Sequence, residues 1–376
     1  MIMRKKLSLL PLLMLLTSLI AAQNSPNITR VLEYRPAPGQ HINRIYPTPA
    51  MSDTPENALK FAENSLIDNK SMLGLGGFGG YVIVGFDHPI VNVKGEYDFK
   101  GLGNAYTNSC EPGIVMVCQD LNKNGRPDAD EPWYELAGSE YNNAATIHNY
   151  EITYYRPEPD GLKSNIRWTD NQGKEGVITH IPFATQSTMY PLWITDNTLK
   201  FKGTKLANTA VEASGFYKLP GFNWGYIDNQ SNAETIDKNG FKIDWAVDEN
   251  GNPVHLNSID FIKVYTAQLQ EAGSLGETST DIAGIIDLHP DAVAETPVEN
   301  IYSQNIKFSN PFREHINLHL PKNGKLMLYN VAGQCLINQP VSEGNNRIET
   351  GDITSGIFIL FIEFDGKIFT EKLIKN

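Results

Sequence analysis

Cysteine is scarce, with three in 376 residues, so no disulfide framework holds this chain together. If residues 110 to 118 form one extended strand, Cys110 and Cys118 stand about 26 Å apart at roughly 3.3 Å per residue, far beyond bridging reach. With no histidine near them in sequence, Cys110, Cys118 and Cys335 read as small apolar residues rather than metal ligands or nucleophiles. Signatures of hydrolytic chemistry are missing too. The chain contains no G-x-S-x-G, no H-E-x-x-H and no catalytic-cysteine motif, so neither a nucleophile elbow nor a zincin helix is visible. Beyond residue 22 no segment is apolar enough to cross a bilayer.

Positive charge is also in short supply. Lys and Arg number 31 against 43 Asp and Glu, a formal net charge of -12. Arg4, Lys5 and Lys6 precede the apolar stretch Leu7 to Ala22, the layout of a secretory signal peptide cut between Ala22 and Gln23. The competing reading is a membrane helix, but a stretch holding Pro11, Thr17 and Ser18 falls short of the roughly 20 residues needed to span. No cysteine follows the expected cut, which argues against a lipid-anchored N-terminus. Without residues 1–22 the net charge moves to -15. The acidity is uneven: Lys and Arg number 20 against 36 acids over 23–300, but 8 against 7 over 301–376. Such a body repels phosphate backbones, which excludes nucleic acid as the expected partner, and attracts cations.

What the chain has in quantity is turn residues, with 31 glycines and 22 prolines, between β-branched and aromatic runs. One helix is predicted: Thr54 caps, Pro55 takes the first position, and Ala58, Leu59, Phe61, Ala62 and Leu66 follow near helical spacing. After Gly80 the runs YVIVGF, GIVMVC, NYEITYY, FKIDWAV and IDFIKVY predict strands. Residues 23–290 therefore read as a large, jelly-roll-like β-sandwich body with one short N-terminal helix. Residues 291–300 read as a linker. Beyond it HINLHL, GKLMLYN, GIFILFIEF and GKIFTEKLIKN alternate with period two, with turns at Lys322 to Gly324, Gly344 to Asn346 and Asp365-Gly366, predicting a small Ig-like sandwich. The fold class is all-β.

The tail carries a resemblance. NPF at Asn310 to Phe312, LYNVAGQ at Leu328 to Gln334, SGIFIL at Ser355 to Leu360 and the terminal KLIKN resemble, in order, the C-terminal sorting domain of type IX secretion cargo, over residues 301–376. The usual tyrosine-proline start before NPF is replaced here by Phe308-Ser309. The resemblance implies a Bacteroidetes-type bacterium, the type IX secretion machinery as a partner, passage through the outer membrane, and a secreted or outer-surface location with the tail removed or replaced by an anchor. Across 31–288, the segments PAPGQHIN, LGGFGGYVIVGFDHPI, EPGIVMV, DEPWYELAGSEY, YPLWI, WGYIDN and IDWAVDENGNPV, with GETST later, resemble secreted or surface-attached proteins of gut and oral Bacteroidetes known only as cell-surface proteins. That likeness implies a β-sandwich and no activity.

The sharpest chemical motif is Asp120 to Glu131, which fits the calcium-loop pattern D-x-[DN]-x-[DN]-G-x5-E. A hard cation needs six to eight oxygens, and this spacing lets Asp120, Asn122, Asn124, the Arg126 carbonyl, Asp128 and bidentate Glu131 converge around Ca2+. The framing is not helical, because GIVMVC precedes the loop and Pro132 follows it. The competing reading is a solvated hairpin turn built on Asn124-Gly125. Gly74 to Gly79 spells G-x-G-x-x-G, but it opens a strand where a dinucleotide fingerprint opens a helix, so it reads as a positive-φ strand entry.

Trp133, Tyr134, Trp168, Tyr190, Trp193, Trp224 and Tyr226 are either core or a stacking platform. Trp133 and Tyr134, just after the loop, are the candidate ligand contacts. Acidic pairs such as Glu131 with Glu135, or Asp244 with Asp248, suit a glycosidase if space brings them together. The expectation is a non-enzymatic, calcium-stabilised surface module for a glycan, small-molecule nutrient or host surface. The alternative is a secreted hydrolase, a glycosidase or peptidase.

Overall fold

The computed structural model describes residues 23–43, 54–160, 163–181, 186, 188–293, 306–364 and 367–376. The expected signal peptide and most of the expected linker lie outside them. The chain divides into two units, Met1–Ala294 and Glu295–Asn376.

In the first unit the apolar runs become antiparallel sheets. A six-stranded sheet runs in the order Arg30–Arg35, Tyr81–Val91, Ser258–Thr266, Gly113–Cys118, Tyr134–Leu136, Ala246–Val247. A four-stranded sheet runs Thr198–Lys205, Ile147–Tyr155, Ile166–Asp170, Glu175–Ile178. Val82, Val84, Ile262 and Val264 of the first share one core with Tyr150, Ile152, Tyr154 and Leu199 of the second. This is a β-sandwich, and each such side chain contributes about 1.5–3 kcal/mol when fully buried.

GIVMVC is apolar at consecutive positions because its strand is covered on both faces. Val115 and Val117 enter the main core, while Cys118 joins Ile83 and Phe261 in a second cluster against which Trp133 packs. All three cysteines are free, with Cys110 and Cys118 buried.

The helix forms as its signals require, over Pro55–Leu66, with the Thr54 side chain accepting from the Asn57 amide. The glycine run at 74–79 enters the strand Tyr81–Val91. Gly79 has φ +85 and lies so close to Phe201 that an added Cβ would come within 2.3 Å of its Cβ.

FKIDWAV is not one strand. It breaks into Gly240–Phe241, a 3₁₀ turn at Ile243–Trp245, and Ala246–Val247. The cause is Asp98, fully buried, whose Oδ2 accepts the Ile243 amide at 2.6 Å and takes it from any sheet ladder.

In the second unit, Lys307–Phe308, His315–Leu320 and Gly344–Glu349 form one sheet; Cys335–Val341, Gly324–Asn330, Gly356–Phe364 and Lys367–Lys375 form another. Both feed a core containing Ile316, Leu318, Leu326, Leu328, Leu360 and Ile362. Two details differ from the alternation. Gly344 to Asn346 begins a strand, and Asn346 serves the preceding turn through its side chain, which accepts from the Ser342 amide and donates to the Ser342 carbonyl. The strand Cys335–Val341 lies in a segment whose residues are mostly exposed, so burial leaves no clean pattern there. Asp365-Gly366 lies outside the described residues.

Candidate functional site

Strands Gly113–Cys118 and Tyr134–Leu136 pair antiparallel, with Met116 opposite Glu135 and Val117 opposite Tyr134. The acidic loop is therefore the connection of a hairpin. Its first carboxylate closes it: Asp120 Oδ1 accepts from the Asn124 amide at 3.0 Å and Oδ2 from the Gly125 amide at 2.7 Å. Gly125 has φ +81, the conformation this turn demands. Its last carboxylate folds back, Glu131 Oε1 accepting from Leu121 N at 2.7 Å and Oε2 from Asp128 N at 2.9 Å. Between them the Asn122 and Asn124 side-chain amides both donate to Asp128 Oδ2, at 2.8 and 2.5 Å. These bonds hold the Asp128 carboxyl below its ordinary range.

Five of the expected ligand side chains are thus tied into one bonded loop. Arg126 donates its backbone amide to Asn124 Oδ1 at 3.0 Å, and its exposed side chain pairs with Asp128 at 3.4 Å. Two outside anchors fix the loop to the sheet: Arg30 Nη1 donates to the Gly125 carbonyl at 3.0 Å, and Asp260 Oδ2 accepts the Asp120 amide at 2.8 Å. Among the described residues no group of three or more His, Cys, Asp and Glu is placed to hold a metal ion. The side-chain oxygens of Asp120, Asn122, Asn124, Asp128 and Glu131 accept the loop's own N–H groups.

Immediately after the loop, a cleft of about 650 Å³ opens. Trp133 and Glu135 line it, two apart on the chain and hence on one face of the hairpin. Tyr134, the other candidate ligand contact, packs on the main core and does not line this cleft. Tyr141, His148, Lys202 and Lys263 line the same cleft. Burial lowers the Lys263 pKa, and its ammonium stands 4.0 Å from the centre of the Tyr81 ring. Burial pushes the Glu135 carboxyl up to about 7, against a hydrogen bond from Thr204 that lowers it.

The members of the acidic pairs have separate engagements. Glu131 is committed to the loop amides, while Glu135 faces the cleft. Asp248 reaches the cleft, but its oxygens take the amides of Asn250 and Asn252 and the Asn252 side chain. Asp244 instead meets Asn92 and His255. Of the other aromatic candidates, Tyr190, Trp193 and Tyr226 are buried, and Trp224 packs against Trp245 at 4.5 Å.

Sequence reasoning named Glu135 only as half of an acidic pair and missed Tyr141, His148, Thr204 and Lys263, because separate strands and a turn bring them together. The period-two step from Trp133 to Glu135 was the one available signal.

Residues 308–376 match the model of the secretion system C-terminal sorting domain. The tail is thus a type IX sorting domain, and the protein is secreted or displayed at the cell surface. No curated protein matches the chain. Among solved structures, one titled "Biofilm associated protein - BSP domain" is similar at 11% identity and a TM-score of 0.17, covering 79% of this chain and 48% of that one. This chain thus spans about half the length of that structure, and a likeness at this score carries no argument. Among the described residues no helix is long and apolar enough to cross a membrane.

Proposed function

We propose that the body is a calcium-stiffened, non-enzymatic binding module that takes a glycan into the cleft beside the loop, and that the type IX machinery exports it. The observation that carries this reading is the placement of Trp133 at the loop's exit, on the wall of a cleft whose lining includes Met116 and Val247 beside tyrosine, asparagine and charged side chains. A half-buried indole offers a flat apolar face, and the amides and charged groups around it supply directional hydrogen bonds, the combination that small-ligand sites use. Calcium held by Asp120, Asn122, Asn124, the Arg126 carbonyl, Asp128 and Glu131 would stiffen the hairpin that presents Trp133. Extracellular modules of this kind work with dissociation constants of about 10⁻⁴ to 10⁻³ M.

The competing reading is a hydrolase, since Glu135, Asp248 and Glu249 all line the cleft and a glycosidase needs two carboxylates; turnover separates the two. The test applies the purified mature protein to glycan and peptide panels. Retention without turnover, lost in Trp133→Ala, is expected. Turnover would establish a hydrolase instead, and undiminished retention by Trp133→Ala would move the site elsewhere.

A further inference from the structure

A second cavity of the body, of about 320 Å³, includes Trp168, Gln268, Gln270, Glu271, Glu277 and Thr278 in its lining. None of these residues lines the cleft beside the loop. Glu277 and Thr278 are 4% and 3% exposed, so both are more than nine-tenths buried. Glu277 Oε2 and Thr278 Oγ1 nonetheless have no hydrogen-bond partner, and neither does Gln40 Oε1 beside them. A buried polar atom left without a partner is costly, so a native structure that keeps several together calls for an explanation.

The neighbouring polar groups are already engaged. Gln268 donates to the Ala207 carbonyl at 2.6 Å. Gln270 Oε1 accepts the Thr209 amide at 2.8 Å. Glu271 accepts the Thr179 hydroxyl at 3.0 Å. Glu277 Oε1 accepts the Gln40 amide at 2.7 Å, leaving Oε2 over. Each open position is an oxygen able to accept, so a ligand carrying several N–H groups can satisfy them together.

Charge and shape narrow the class. Glu271 and Glu277 bring acid to the wall, and no Lys, Arg or His among the described residues lines it. Trp168 supplies an aromatic wall, packed so closely on Gly176 that an added Cβ there would lie 2.5 Å from the indole Cζ2. Val177, Ile178 and Leu269 supply apolar surface. A cation is attracted both to carboxylates and to an indole face.

We propose that this cavity is a binding site for a small organic ammonium ion, its N–H groups donating to Glu277 Oε2 and Thr278 Oγ1 and its apolar part lying against Trp168. Burial holds the Glu277 carboxyl up at about 8, and an ammonium partner supplies the positive charge that such a group lacks.

The test uses the mature full-length protein with phenethylammonium and its neutral counterpart 2-phenylethanol as probes, followed by calorimetry and ligand-observed NMR. The ammonium is expected to bind at least about ten-fold more tightly than the alcohol, since hydrogen bonds to charged groups are the stronger ones. Glu277→Gln should cut ammonium binding by about ten-fold or more and Thr278→Val by less, with the melting temperature held. Equal binding of both probes, binding of neither, or unchanged affinity in Glu277→Gln would overturn the proposal. Should Glu277→Gln fail to fold, Trp168→Ala carries the same comparison, and unchanged ammonium affinity there would overturn it too.

Discussion

Thr204 and Glu135 join the two sheets of the body at the cleft: the Thr204 hydroxyl, on strand Thr198–Lys205, donates to Glu135 Oε2, on strand Tyr134–Leu136, at 2.6 Å. The Thr204 amide in turn donates to the Tyr265 hydroxyl at 2.9 Å. Burial, the larger influence, pushes Glu135 up to about 7. A carboxyl raised in the folded state keeps its proton while the unfolded chain releases one, so its effect on the fold worsens from about pH 4.3 up to about pH 7. Glu135→Gln abolishes that loss. Urea unfolding should show the variant gaining on the wild type between pH 4.5 and pH 8, and a constant difference would refute the assignment.

The loop's two ends make different demands. Glu131 is buried and takes backbone amides from Leu121 and Asp128, so Glu131→Ala should cost about 1–3 kcal/mol even in calcium chelator, the penalty for unpaired buried groups. The Arg126 side chain makes only an exposed ion pair with Asp128, and Arg126→Ala should stay within about 0.5 kcal/mol of the wild type. Chemical denaturation of both variants side by side checks the contrast.

His88 is clamped between two carboxylates, with Nδ1 2.7 Å from Asp87 Oδ1 and Nε2 2.7 Å from Asp287 Oδ2. Burial alone would lower its pKa, but the bonds to Asp87 and Asp287 raise it. A histidine raised in the folded state stabilises fully below its unfolded value near 6.5 and loses that contribution as pH climbs through the folded value. His88→Asn should therefore destabilise more at pH 5.5 than at pH 9. Thermal melts at the two pH values decide it, and an equal loss at both would show that the clamp is not ionic.

The tail closes on its penultimate residue. Lys375 is buried, and its ammonium donates to the carbonyls of Thr350 and Ile353 at 2.5 and 2.6 Å. Lys375→Ala should lower tail stability by about 1.5–3 kcal/mol, the worth of hydrogen bonds from a charged group, read by hydrogen exchange on Gly356–Phe364. Deleting 301–376 should leave the protein in the periplasm in cell fractionation, whereas surface display of the truncated form would contradict the sorting role.

Much of this was legible from side-chain period and turn chemistry. Strands of the tail showed because Ile316, Leu318 and Leu320 alternate into its core, and the helix showed because Thr54 and Pro55 announce it. The break in FKIDWAV was hidden, since it depends on Asp98 arriving from far along the chain. The cleft was hidden for the same reason: Glu135, Thr204 and Lys263 lie on three strands whose neighbourhood only the folded sheets create. Asp120 to Glu131 was readable because its order depends on local spacing.

The account turns on calcium, and calorimetric titration of the metal-free mature protein tests it most directly. The prediction is one site with a dissociation constant of about 10⁻³ M or tighter, abolished in Asp120→Ala, with stability rising by about 2.7 kcal/mol at a hundred-fold excess over that constant. No calcium heat in the wild type, or identical titrations of wild type and Asp120→Ala, would contradict it.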